Sequence, residues 1–242
     1  MIAVEQLRDD TKYYGSFGKQ YLSNSDIGTL LKDPSNFGNP KETTLPMILG
    51  RYFHTLMLEP TKVKDFIVCK ASTRNTNIFK DLCEKNNRDN IILSKEVDEM
   101  NFLSSEIKKN LFFNELIYDE DNKFEEPAIG EIGGVMWKGK ADIVTRDLIV
   151  DLKTCTDIDK FKYSARKYNY DSQAWIYNQL FGKPMVFIVV EKKTGRTGMY
   201  DCSDEFLDIG RDKVFQSLEV FKTFFGESPT EDIDNYFIND TL

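Results

Sequence analysis

The chain has 242 residues, 40% hydrophobic and 13% aromatic, enough for one sizeable α/β domain or two small ones, which excludes a disordered chain. Its net charge of −8 is uneven: residues 201–242 hold 11 acidic against 3 basic residues, while residues 138–167 hold 8 basic against 5 acidic. An acidic tail beside a basic middle does not exclude a polyanionic partner. No stretch approaches the roughly 18 to 20 consecutive apolar residues of a membrane span, and MIAVEQLRDDTKYYG lacks a signal-peptide layout. The expectation is therefore a cytoplasmic protein with no membrane partner.

In chain order, YLSNSDIGTLLKDPSNFG predicts a short helix capped by Ser23 or Ser25, with Ile27, Leu30 and Leu31 on one face and Pro34 beyond its end. LPMILGRYFHTLMLEP predicts a second helix between Pro46 and Pro60. SKEVDEMNFLSSEIKKN predicts a third, amphipathic and capped by Ser94. From about Phe124 the pattern turns to strands, with hairpin turns at Gly133-Gly134 and Arg146-Asp147. DSQAWIYNQLFGKP is a helix stopped by Gly182 and Pro184, and MVFIVVEKK is a central strand. A long helix from about Asp204 to Phe225 starts from Ser203. No linker cuts the chain, so one domain is expected over 1–242. It comprises a helical part to about residue 120, a core over about 121–200, and a C-terminal helix with its acidic tail. The fold class is α/β (α+β), helices on a mixed sheet.

The segment GKADIVTRDLIVDLKT carries the chemistry. If Arg146 and Asp147 are the central residues of the turn, Asp142 stands opposite Asp151 and Lys140 opposite Lys153. Two carboxylates about 4.5 to 5.5 Å apart repel unless a cation lies between them. A hard divalent ion such as Mg²⁺ meets that need, and Lys153 can orient water or hold a phosphate. Removing either carboxylate is then expected to relieve repulsion and leave the fold intact. The single histidine, His54, lies one turn after Gly50. Glu125, Glu126 and Glu131 flank the first strand of the meander. Gln173 and Tyr177, four apart, share a helix face. The four cysteines form no metal-binding cluster.

Taken together, Gly50-x-x-x-His54, a glutamate, Gly139-Lys140-Ala141-Asp142, Asp151-Leu152-Lys153-Thr154 and Gln173-x-x-x-Tyr177 resemble the PD-(D/E)XK nuclease superfamily. The likeness covers about residues 20–190. It is greatest to the RecE (exodeoxyribonuclease VIII) and RecB-nuclease branch, which includes phage recombination exonucleases.

The resemblance implies a restriction-endonuclease-like core and a Mg²⁺-dependent exonuclease, with Mn²⁺ able to substitute. Asp142, Asp151, His54, the Leu152 carbonyl and an early glutamate would hold the metal, the glutamate being Glu126 with Glu131 as runner-up. Lys153 would activate water. Gln173 and Tyr177 would contact the DNA strand or orient Lys153. Apart from the resemblance, helix N-termini and cationic side chains suit phosphate, which makes Ser25, Arg51 and Lys140 candidate DNA contacts, with Ser23 and Lys32 weaker. The cysteines of iron–sulfur members are missing, so no such cluster is expected. Relatives digest linear duplex ends 5′ to 3′, some as homo-oligomeric rings, and leave single strand for an annealing protein. The rival readings are an endonuclease or single-strand nuclease of the same superfamily, and a catalytically silent nucleic-acid-binding module.

Overall fold

The computed structural model describes residues 2–238. Its helical N-terminal part holds α1 (Ile2–Gln6), α2 (Asp10–Tyr13), α3 (Asn24–Lys32) and α4 (Leu45–Leu58). Ser23 is the N-cap of α3, and the Asp26 carboxylate accepts both its N–H and its hydroxyl, each at 2.8 Å. A segment without a readable period follows. It folds as β1 (Ile67–Cys69), α5 (Asn77–Lys85) and β2 (Ile91–Leu93), the two three-residue strands pairing in parallel. Next come α6 (Ser94–Lys109) and α7 (Leu111–Tyr118). Leu93, not Ser94, is the N-cap of α6: Glu96 accepts the Leu93 N–H at 2.8 Å, and Ser94 is already inside the first turn.

The central sheet holds β3 (Lys123–Ile132), β4 (Val135–Val144), β5 (Ile149–Cys155), β6 (Met185–Glu191) and β7 (Thr197–Asp201), side by side in that order. The Gly133-Gly134 turn has φ of 61° and 81°, the doubly positive conformation of a tight hairpin that glycine adopts without a Cβ clash. Within this sheet β5 and β6 are the parallel pair, joined by α8 (Phe161–Lys167) and α9 (Tyr170–Phe181), as a parallel pair requires a crossover, and the other neighbours run antiparallel. The last helix, α10 (Asp204–Phe224), starts from the Ser203 hydroxyl as expected. The end of the acidic tail, residues 239–242, lies outside the described residues.

Helices cover both faces of the sheet. Ile149, Phe187 and Val189 pack with Ala174 and Ile176 of α9 and Val214 and Leu218 of α10. Val150, Leu152, Ile188 and Val190 pack on the other face with Phe53 and Met57 of α4 and Leu103 and Ile107 of α6. Coverage on both faces accounts for β6 being buried at every position and reading as an unbroken apolar run.

Candidate active site

β4 and β5 pair through Ile143–Val150 and Val144–Ile149, the register that sets Asp142 opposite Asp151. The pairing ends there, because β4 loses its alternation at Asp142. Ala141 packs in the core beneath α9, whereas Ile143, two residues on, packs in the core beneath α4. Residues two apart on a regular strand share a face. On the neighbouring strand, Glu125 has φ of 48° and drops out of a register that otherwise runs from Phe124–Ile143 to Glu126–Ala141. A non-glycine residue held in that region costs of order 1–3 kcal/mol, and such outliers cluster at functional sites.

The distortion turns Asp142 toward α4. Its Oδ1 lies 3.2 Å from His54 Nδ1, and its Oδ2 accepts the Leu152 N–H at 2.8 Å. Asp151 belongs to the other layer. Its Oδ1 accepts from Gln173 Nε2 of α9 at 2.6 Å, and its Oδ2 lies 2.5 Å from Lys153 Nζ. The two carboxylates therefore meet at a seam between strands, each steered by a helix from a different face, and do not form a simple cross-strand pair.

Strong fields act in this space. Burial works to lower the His54 pKa, but the charge of Asp142 and its hydrogen bond overcome it and lift His54 to about 9. Burial likewise works to raise Asp142; His54, Lys153 and the Leu152 amide prevail and hold it below the ordinary carboxylate range. Asp151 goes the other way, lifted to about 6 by burial and by Asp142 against the pull of Lys153. Burial, then the charge of Asp142, pushes Glu125 up to about 7. Lys153 is held firmly protonated, because Asp151 and Asp142 outweigh the cost of its burial.

The expected early acid was Glu126, with Glu131 next. The structure places Glu125 beside Asp142 and His54, their ligand atoms all within 4.8 Å of one another. Glu126 is turned away: it pairs with Arg8 at 2.7 Å and lines a groove of about 580 Å³ with Val4, Ile129 and Phe181. Glu131 pairs with Met136, six residues along β4 from Asp142. Leu152 contributes its N–H to Asp142, while its side chain is fully buried in the core.

Gln173 bonds Asp151 and not Lys153. Tyr177 is buried, its hydroxyl donating to the Lys140 carbonyl at 2.8 Å and accepting from the Lys140 N–H at 3.3 Å. It thus pins β4 two residues before Asp142. Gly139 makes room for this ring, since a Cβ there would lie 2.8 Å from it.

The expected DNA contacts fare differently. Lys140 is nearly buried, its ammonium 2.5 Å from Asp10 and 4.8 Å from the Tyr13 ring centre, so it anchors α2 to the sheet. Arg51 is held by the Asp89 carbonyl and by Asn90 Oδ1 at 3.0 Å, over the Phe66 ring. Ser25 and Lys32 are exposed on α3, Ser25 bonded to Ser23 at 2.9 Å.

An imidazole and two carboxylates converging within 4.8 Å form a donor set suited to a divalent cation. Asp151 Oδ2 supports the same fit: it is buried and has no aligned hydrogen bond, its contact with Lys153 being one of charge. A buried oxygen in that state usually answers to a missing partner.

Such a seam of carboxylates, with a lysine two residues after the second, on a mixed sheet covered by helices on both faces, defines a PDDEXK-like fold. The family model of the PDDEXK-like domain of unknown function (DUF3799) matches residues 30–229, and the chain belongs to that family. The fold is similar to that of a Eubacterium rectale protein described provisionally as an exonuclease. The two are 16% identical with a TM-score of 0.66, over 97% of this chain and 95% of the other. A phage-related exonuclease from Haemophilus somnus 129PT is 16% identical over 84% of this chain and 94% of its own, with a TM-score of 0.37. The comparison with curated proteins gives no match. Among the described residues no helix is long and apolar enough to cross a membrane.

Proposed function

We propose that the chain is a divalent-metal-dependent deoxyribonuclease that degrades linear double-stranded DNA from an end, 5′ to 3′, in recombination, repair or phage DNA metabolism. Membership of the PDDEXK-like family supports a nuclease. The observation that carries the reading is the convergence of His54, Glu125 and Asp142 beside the Asp151–Lys153 pair. Polarity, duplex preference, a ring assembly and an annealing partner come by resemblance.

His54, Glu125, Asp142 and Asp151 would hold Mg²⁺, or Mn²⁺ in its place, and the imidazole tilts the set toward Mn²⁺. Such an ion supplies positive charge that polarises phosphoryl oxygens and acidifies water. The chain's own groups do the rest. Lys153, always charged, stabilises the negative charge that gathers on the phosphorus oxygens in the transition state, and is an electrostatic group more than a base. Gln173 fixes the rotation of the Asp151 carboxylate, and the Leu152 amide fixes that of Asp142.

The test is digestion of end-labelled linear duplex beside a covalently closed circle, with EDTA, Mg²⁺ or Mn²⁺. Loss of the linear substrate alone, abolished in Asp142→Asn, is expected. Cleavage of the circle would make the chain an endonuclease. No cleavage of any DNA with either ion would leave the silent binding module as the better reading.

A further inference from the structure

Beyond Lys153 an aromatic run leads out to solvent. Lys153 Nζ sits 4.8 Å from the centre of the Tyr170 ring. Tyr170 stacks on Phe187 with ring centres 5.6 Å apart and meets Tyr168 at 6.1 Å. Tyr168 is 59% exposed, with Lys167 Nζ 5.9 Å over its ring, and Tyr163 on α8 is 80% exposed. Tyr163 and Lys167 are four apart and share a helix face. Lys160 and Arg166 are answered by Asp157 and Glu205, but Lys162 and Lys167 have no acidic partner among the described residues.

Single exposed tyrosines are ordinary. Two features set this surface apart. Tyr168 is linked through the Tyr170 ring to the catalytic lysine. It is also rigidly mounted: Asn169, between Tyr168 and Tyr170, has φ of 58°. Asn169 is tied down on three sides. Its carbonyl accepts from Asn24 Nδ2 at 3.1 Å and Ser172 Oγ at 3.0 Å, and its Oδ1 accepts from Lys213 Nζ at 3.0 Å. Asparagine tolerates the left-handed conformation better than most residues, so the two tyrosines are presented in one fixed relation.

We propose that α8 and Tyr168 form a track for a single strand of nucleic acid, with bases stacked on Tyr168 and Tyr163 and phosphates met by Lys162 and Lys167. Stacking platforms beside unneutralised cations are the two elements by which proteins hold single strands without reading sequence. The separations of 4.8 Å and 6.1 Å put Tyr168 within about three stacked nucleotides of Lys153, at about 3.4 Å each. The substrate end is accordingly frayed before it is cut. The proposal rests on the nuclease reading for what happens at the strand's end, but its binding step does not.

The test is anisotropy of a dye-labelled 12-nucleotide oligothymidylate and of a closed DNA dumbbell with no free end, in EDTA, with full-length protein. The wild type is expected to prefer the single strand. Tyr168→Ala should weaken that binding by about tenfold or more, with Tyr168→Phe close to wild type and all melting temperatures alike. Removing both Lys162 and Lys167 should flatten the slope of log affinity against log salt by about 1.4, at about 0.7 per strand phosphate. Affinity of Tyr168→Ala within twofold of wild type would overturn the track. If wild-type cleavage persists beside that result, the nuclease reading stands. Tyr168-dependent binding by a wild type that cuts nothing would uphold the track and sink the nuclease.

Discussion

The Leu152 N–H donates to Asp142 Oδ2 at 2.8 Å, so the carboxylate on one strand is fixed by the backbone of the next. Asp142 is thereby both a candidate ligand and a structural acceptor, with the half-buried His54 as its counter-charge. The idea that its removal merely relieves repulsion does not fit this arrangement. Asp142→Ala is expected to abolish metal-dependent cleavage and to cost about 3 kcal/mol, through an orphaned amide and an unpaired imidazolium. Urea unfolding of the metal-free protein checks it, and an unchanged midpoint would show that the hydrogen bond contributes nothing.

The metal-free protein should lose stability as pH rises. Asp151 and Glu125 bind protons more tightly when folded, at about 6 and about 7 against ordinary values of 3.8 and 4.5. Their contribution is full below about pH 4 and is lost as pH climbs through 6 to 7. His54 adds a contribution that is full below 6.5 and lost through about 9. A cation held by this set must displace those carboxylate protons and the His54 proton, so its stabilising effect should grow over the rise from pH 5 to 8. Thermal melts across that range, in EDTA and in Mn²⁺, should diverge as pH increases.

Gln173 holds Asp151 and touches no other charged group of the seam in the metal-free state. Gln173→Ala should lower kcat by about tenfold to a hundredfold with little change in KM for the strand. A pure rise in KM would mean that this side chain binds substrate and does not orient the carboxylate.

Gly210 lies where α10 crosses the start of α9, and a Cβ there would fall 2.2 Å from the Asp171 carbonyl oxygen. The obstacle is backbone, so the helices must separate. Gly210→Ala should cost about 2 kcal/mol or more and lower cleavage along with it. Gly50 is the opposite case: nothing lies within 4 Å of a Cβ built there, in the interior of α4. Gly50→Ala should raise stability by about 0.5–1 kcal/mol.

Local chemistry was legible in the sequence and long-range chemistry was not. The Arg146-Asp147 turn, the Gly133-Gly134 turn and the caps at Ser23 and Ser203 depend on neighbours within a few residues, and each formed as expected. Glu125 could not be chosen over Glu126 because strand alternation assumes extended backbone, and nothing in FEEP marks a glutamate at φ of 48°. The burial of Lys140 depends on Asp10, 130 residues away. The strands β1 and β2 are three residues each, too short for any period to show.

The start of α9 is braced from the C-terminal side. Lys213 reaches the fully buried Asp171 at 2.8 Å, and α10 rests on that same turn at Gly210. A trimmed fragment ending after β7, at the border of the core as it reads in the sequence, would keep every carboxylate of the seam yet lose the buttress beneath Gln173. A fragment that keeps the seam in place should therefore reach at least through Lys213, and the final helix counts as part of the site's support rather than as an appendage.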